Sequence, residues 1–351
     1  MQVHHKLDAF REMTLHFQVL GKPGRDNALF VRVESGQSTA RLLFDCGDGC
    51  LSSLPFSEIQ AIDHLCFSHL HMDHIGGFDS FFRCTFNRDV KPNVIWGPAG
   101  TSAILHHRFQ GFWWNLHANQ SGTWSVNDVH PTHIERFRYE ISEAFSERHN
   151  EGKTEQCSPL LDTSDYSVSA IHLKHNGPCL GYVVCEKPKW NIQTDRVAEM
   201  GLRPGSWMKD LKSDTATPTI DIEGRTFDLA ALRNDLLIES PGESIAYLTD
   251  FLLDDATSEQ LQEVLGDCTT VVCEAQYRDQ DIDLAQRNFH TTTTAVSHLA
   301  ARSGFGKLVL FHLSDRYTTE EWGEMLTECR TIFPNTEFPK DWNIEPNSNG
   351  S

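Results

Sequence analysis

The sequence holds no apolar run long enough to cross a bilayer as a helix, which sets a helical membrane span aside. Its first residues, MQVHHKLDAFREMTLHF, carry neither the apolar core nor the cleavage site of a secretory signal, so a cytoplasmic protein is expected. None of the ten cysteines stands in a CxxC pair, and Cys66, Cys179 and Cys273 lie inside apolar runs. They read as reduced, packed thiols and speak against a cysteine-built zinc site. Positive charge is also short: 30 Lys and Arg stand against 49 Asp and Glu, a net of −19. A broadly basic surface for nucleic acid is thereby excluded, although a local basic patch is not. Internal repeats and low-complexity tracts are lacking too.

What is present is a chain of 351 residues, 39% hydrophobic and 23% charged, ample for a large buried core. Short β-type runs alternate with helical patterns. Strands are expected at 15–20, 28–33, 40–45, 64–68, 93–97, 166–175, 179–186, 244–250, 269–275 and 307–313, separated by Gly, Pro and Asn turns. Helices are expected at about 101–109, 257–265 and 292–303, the last closed by Gly304. The three late strands end at Asp250, Glu274 and His312, and α/β enzymes commonly display catalytic groups on such a rim. Residues 187–240 break the strand rhythm and read as an inserted arm in a single domain spanning 1–351. The stretch 110–165 yields one strand near 133–145, and its GFWWNLH segment (111–117) suits packing more than a pocket.

The sharpest pattern is His69-Leu70-His71-Met72-Asp73-His74, directly after the strand at 64–68 and before Gly76-Gly77. His69 and His71 are two apart, so extended backbone points both the same way. Asp73 and His74 follow a turn, and the glycines let the chain bend into a helix. Imidazole and carboxylate together suit zinc or a similar first-row ion, and four donors this close suit two ions better than one. His172 and His175 flank one strand end, and the following Gly-Tyr favours His175 as the ligand. His64 reads as structural, and His106, His107, His117, His130, His133 and His149 fit no motif and read as surface residues.

This run resembles the signature of the metallo-β-lactamase superfamily, which implies a four-layer αββα sandwich within the α/β class. Other motif residues resemble the family's in order: Asp45 in LLFDCGDG, His175 in KHNGPCLGYVV, Asp250 in AYLTDF and His312 in VLFHLSDRY. The resemblance implies two divalent ions, zinc foremost with manganese or iron as alternatives. One would take His69, His71 and His175; the other Asp73, His74 and His312; Asp250 would bridge them, and Asp45 would support the ligands from behind. Such a pair supplies a hydroxide nucleophile at neutral pH, with Asp73 placed to orient or deprotonate the water.

Three further features resemble the ribonuclease Z branch, whose members trim the 3′ end of tRNA precursors. CEAQ at 273–276 is similar to its HEAT box through Glu274, and HTTTTA at 290–295 to its HST box through His290, here read as opening a helix. The Glu274–His290 pair is implied to protonate the departing hydroxyl. EMGLRPGSWMKDLK (199–212) resembles the flexible arm that clamps tRNA, with Arg203, Lys209 and Lys212 as candidate phosphate contacts. The family also implies a homodimer. Departures from the pattern are LGKPGRDNA in the first loop, Met72 for a small residue, Thr249 for Gly and Cys273 for His. Acidic Asp210, Asp214, Asp221 and Glu223 accompany the arm's cations. The reading is therefore a tRNA-precursor phosphodiesterase. Its alternatives are a hydrolase of a small phosphodiester or lactone, and a non-catalytic RNA-binding relative, against which the intact ligand set argues.

Overall fold

The computed structural model describes residues 15–35, 38–155, 158–212 and 217–346. Cys157 and Asp214 lie outside the described residues, and the other nine cysteines are free thiols. No helix among the described residues is long and apolar enough to cross a membrane.

Contacts divide the chain into two compact units, one of residues 1–185 with 243–351, the other Glu186–Gly242. In the larger unit the first sheet runs in chain order. It comprises β1 (Leu15–Gly21), β2 (Asn27–Glu34), β3 (Thr39–Phe44), β4 (His64–Cys66), β5 (Asn93–Pro98), β6 (Thr123–Val129), β7 (His133–Glu140) and β8 (His149–Glu155). Strands β3 to β6 are parallel, with antiparallel pairs on either flank. The second sheet begins with β9 (Leu161–Asp162), β10 (Tyr166–His175) and β11 (Gly177–Glu186).

Glu186–Gly242 contains β12 (Lys189–Ile192), β13 (Thr219–Ile222), β14 (Arg225–Asp228) and β15 (Leu237–Ser240), paired as β12–β15 and β13–β14. Helices α5 (Thr194–Glu199), α6 (Trp207–Lys212) and α7 (Leu229–Leu236) accompany them; α1 (Phe56–Ala61), α2 (Met72–Ile75), α3 (Phe78–Thr85) and α4 (Thr101–Phe109) precede in the larger unit. This segment is a small fold with its own apolar cluster of Val197, Leu202, Trp207, Leu211, Ile222, Leu229, Leu232 and Leu236. The second sheet resumes with β16 (Ser244–Leu248), β17 (Thr270–Glu274), β18 (Lys307–Phe311) and β19 (Thr336–Glu337), all mutually parallel.

The period of two on each strand explains the layers. In the first sheet Val31, Leu42 and Phe44 join a cluster with Tyr182, Tyr247 and Val272 of the second, while Phe30, Leu43 and Phe67 join another with α1 (Phe56–Ala61), α3 (Phe78–Thr85) and α4 (Thr101–Phe109). On α3 the buried Phe78, Phe81, Phe82 and Thr85 follow helical spacing, and each buried phenylalanine contributes about 1.5–3 kcal/mol. Beyond the second sheet lie α8 (Asp255–Leu265), α10 (Thr293–Ser303) and α11 (Thr319–Ile332), whose apolar residues enter the first cluster; α9 (Ile282–Asn288) precedes α10. The result is the expected four-layer αββα order. Gly304 takes a φ of 75° after α10, as a helix-ending glycine should.

Within 110–165 the structure adds β6, β8 and the short β9 to the one strand expected there. The aromatic segment divides: Trp114 packs on Phe82, Phe86 and Phe145, whereas Trp113 is 92% exposed.

Candidate metal centre

The donor residues gather where strands from both sheets end. Asp45 follows β3, Asp250 comes two residues after β16, and His312 directly follows β18, with φ values of 60°, 52° and 55°. Left-handed backbone is disfavoured for a side-chain-bearing residue by about 1–3 kcal/mol, and the surrounding sheet ends must hold it. It turns each chain sharply out of its strand as the side chain is delivered. The histidine run enters from β4, and Met72–Ile75 form the short helix α2, from which His74 points inward.

Asp45 is the hub behind the site and is fully buried. Its Oδ1 accepts the Ser68 N–H at 2.6 Å; its Oδ2 accepts the Ser68 hydroxyl at 2.6 Å, the Tyr247 hydroxyl at 2.9 Å and His74 Nδ1 at 2.8 Å. Ser68 Oγ, having given its proton to Asp45, accepts from His69 Nδ1 at 3.1 Å. Both imidazoles thus spend Nδ1–H on this network and turn a bare Nε2 lone pair inward. His69 Nε2 and His74 Nε2 are buried without a hydrogen-bond partner. Two buried basic nitrogens without a hydrogen bond, set against carboxylate oxygens, fit bound cations, since lone pairs facing lone pairs are otherwise unfavourable.

Asp250 divides the centre. Its Oδ1 lies 3.4 Å from His74 Nε2 and 3.4 Å from His312 Nδ1, and its Oδ2 3.6 Å from His69 Nε2 and 3.9 Å from His175 Nε2. Two donor groups follow, His69, His71, His175 with Asp250, and Asp73, His74, His312 with Asp250, each with ligand atoms within 4.8 Å of one another. Asp73 Oδ2 is 3.4 Å from both His74 Nε2 and His312 Nε2. Burial raises the affinity of Asp250 for a proton, but His312, His74 and His69 outweigh it and hold this carboxyl well below the usual range. Burial likewise opposes ionisation of Asp73, and the neighbouring His312 and His74 pull it below the usual range. Two ionised carboxylates in a pocket of imidazoles match the donor set of divalent first-row ions. The floor (His69, His74, Asp250, His312) is buried, whereas His71 and Met72 are exposed and Asp73 half-buried, so solvent and substrate reach the centre from that side.

Glu274 ends β17 with no exposed surface and accepts the Phe251 N–H at 2.9 Å. His290 Nδ1 sits 3.1 Å from Glu274 Oε2, and its Nε2 faces Asp250 Oδ2 at 3.9 Å. Burial lowers the His290 pKa, but the Glu274 charge and hydrogen bond prevail, with Asp250 and Asp73 adding, and push it up to about 9. His290 does not open a helix, contrary to expectation. It follows the left-handed Phe289 that ends α9, its N–H bonds Ala285 O at 2.8 Å, and Thr292 caps α10 by accepting the Ala295 N–H. The threonine run supplies the better cap, so Glu274, not a helix terminus, governs the charge of His290.

Ser68, Tyr247 and Thr249 escaped the sequence reading as site residues. Thr249 is buried and donates to Asp250 Oδ1 at 2.6 Å. Ser68 had a signal in its place immediately before the motif; Tyr247 sits inside an apolar strand and had none. His172 donates to the His130 backbone and takes no place in either donor group. In the smaller unit Arg203, Lys209 and Lys212 are exposed, and Arg203 faces Glu223 at 3.8 Å.

A family model described as anti-Pycsar protein Apyc1 matches residues 25–173. Ribonuclease Z of Deinococcus radiodurans is 47% identical over 324 residues, covering 92% of this chain and 97% of that protein. The chain belongs to the ribonuclease Z family. A second member, ribonuclease Z of Geobacillus kaustophilus, is 28% identical over 316 residues, 88% of this chain and 89% of its own. The metallo-β-lactamase fold protein YhfI of Bacillus subtilis superposes with a TM-score of 0.54 at 15% identity, covering 92% of this chain and 95% of YhfI. This ribonuclease Z-family chain accordingly has the metallo-β-lactamase fold, the architecture that its leading motif implied.

Proposed function

We propose that the chain is a metal-dependent endoribonuclease that hydrolyses the phosphodiester at the 3′ end of tRNA precursors, acting as a cytoplasmic homodimer. The observation that carries this reading is the division of Asp250, one oxygen toward each donor group, with His290 Nε2 facing the same carboxylate. His69, His71 and His175 would hold one divalent ion and Asp73, His74 and His312 the other, with Asp250 between; zinc suits this set first, manganese and iron next. Such a pair, when bound, supplies a nucleophilic water at neutral pH and positive charge beside the phosphorus.

The chain's own groups do the rest. Asp73, its side chain 43% exposed, orients the water and takes its proton. The Tyr247–Asp45–Ser68 network keeps His69 and His74 in one tautomer. His290, kept protonated by Glu274, gives a proton to the departing 3′ oxygen. Arg203, Lys209 and Lys212 contact backbone phosphates. A second reading, a small phosphodiester or lactone substrate, is favoured by the net charge of −19. Metal-loaded protein assayed on 3′-extended tRNA beside bis(p-nitrophenyl) phosphate separates the two. Cleavage of both is expected, and cleavage of the small ester alone would discard tRNA as the substrate.

A further inference from the structure

We infer that His130, His133 and Glu135 form a further binding site for a divalent first-row metal ion, separate from the catalytic donors. The site is built into the turn between β6 and β7. The His130 N–H donates to the His133 carbonyl at 2.9 Å and closes the turn around Pro131 and Thr132. His133 and Glu135 are two apart on β7 and share a face. This places His133 Nε2 3.4 Å from Glu135 Oε1 and His130 Nε2 4.0 Å from Glu135 Oε2. One ligand atom from each of the three falls within 4.8 Å of the others. The Thr132 hydroxyl lies 3.2 Å from His133 Nδ1, which leaves Nε2 for the carboxylate side.

Two imidazoles and a carboxylate are the donor set of zinc, nickel and copper sites. Bond lengths of about 2.0–2.1 Å in a tetrahedron separate neighbouring donors by roughly 3.3 Å. The gap from His133 Nε2 to Glu135 Oε1 already has that spacing, and His130 Nε2, 4.0 Å from the other oxygen, must move closer. The rings stack at 4.3 Å with planes 8° apart, so they must also tilt to aim both lone pairs at one point. All three side chains are half-buried rather than packed in the core, and His130 sits in the turn itself. A fourth imidazole abuts the turn: His172 of β10 donates to the His130 backbone, and its Nε2 is buried with no hydrogen-bond partner.

Lys153 of β8 stands in competition. Its ammonium lies 2.5 Å from Glu135 Oε1, with the side chain 61% exposed and able to swing into solvent. Ammonium and metal ion therefore compete for one carboxylate, which makes Lys153 a probe of the site. Metal-stripped protein is titrated with zinc, desalted, and its bound zinc counted by mass spectrometry, with bis(p-nitrophenyl) phosphate turnover followed in parallel. Wild type should retain one zinc per chain more than the His130→Asn/His133→Gln double variant, with equal turnover. Glu135→Gln, which leaves the ring stack intact, should weaken that extra zinc by on the order of tenfold or more, and Lys153→Met should tighten it. Equal zinc counts in wild type and double variant, or an affinity that ignores both Glu135→Gln and Lys153→Met, would overturn the assignment.

Discussion

Replacing Asp45 by asparagine keeps the shape of the side chain but gives it one acceptor oxygen where four donors converge. Three donors (the Ser68 hydroxyl, Tyr247 hydroxyl and His74 Nδ1) point at Oδ2, and the Ser68 N–H points at Oδ1. The less damaging orientation keeps the carbonyl toward the three and sets the amide NH2 against the Ser68 N–H. Two buried donors then face each other, at a cost of about 1–3 kcal/mol. The three surviving bonds also lose charge assistance, about 1 kcal/mol each, so destabilisation of about 4–6 kcal/mol is expected. In addition His74, and His69 through Ser68, lose the carboxylate that makes their Nε2 basic, and each such partner is worth about 10–100-fold in metal affinity. Thermal unfolding of metal-stripped protein reads the first effect, and zinc competition with a chromophoric chelator reads the second. An Asp45→Asn protein that melts like wild type and holds zinc equally well would refute the hub.

Other outcomes follow from neighbouring residues. Thr249→Val, nearly isosteric but without the hydroxyl on Asp250, should lose metal affinity by about tenfold, and Thr249→Ser should restore it; equal losses in both would mean that packing rather than the hydroxyl matters. With the His290 pKa raised to about 9, a protonated His290 persists to that pH and is lost above it, so activity should fall on the alkaline side near 9. Glu274→Gln removes the charge that raises it, and the alkaline limb of kcat should move down toward the ordinary histidine range near 6.5, read from a pH–rate profile; an unmoved limb would remove His290 as the acid. The protonated form likewise contributes stability below 6.5 that disappears as pH rises through 9. Reversing Arg203, Lys209 and Lys212 to glutamate should weaken precursor binding and flatten its salt dependence while bis(p-nitrophenyl) phosphate turnover holds, measured by filter binding across a salt series.

Much of this molecule is written in local pattern. Strands such as Asn27–Glu34 and Lys307–Phe311 announce themselves by apolar content, and the motif at His69–His74 by spacing no core requires. What stayed hidden depends on partners distant in sequence. Strand β8, HNEGKTE, is nearly all polar and owes its extended form to pairing with β7 at a sheet edge. Strand β6 buries Asn127 and Asp128, residues that a pattern reader assigns to loops; Asn127 donates to Ile95 O, and Asp128 accepts from Gly100 and Ser102. Tyr247 reads as one more apolar strand residue, since its hydroxyl finds Asp45 across 202 positions of chain. The left-handed turns at Asp45, Asp250 and His312 carry no glycine to betray them. The sequence suggests a helix start at His290 because four consecutive threonines each resemble a cap, whereas the fold selects Thr292.

In the proposed reaction water hydrolyses a tRNA-precursor phosphodiester and a proton is returned to the departing 3′ oxygen. The most direct measurement is the chemistry of the product ends when metal-loaded protein cleaves a 3′-extended tRNA in heavy-oxygen water. Attack by water should leave a heavy-oxygen label on the 5′-phosphate of the released trailer and an unlabelled 3′-hydroxyl on the tRNA. A 2′,3′-cyclic phosphate on the tRNA, or an uncut precursor beside a hydrolysed small ester, would contradict it.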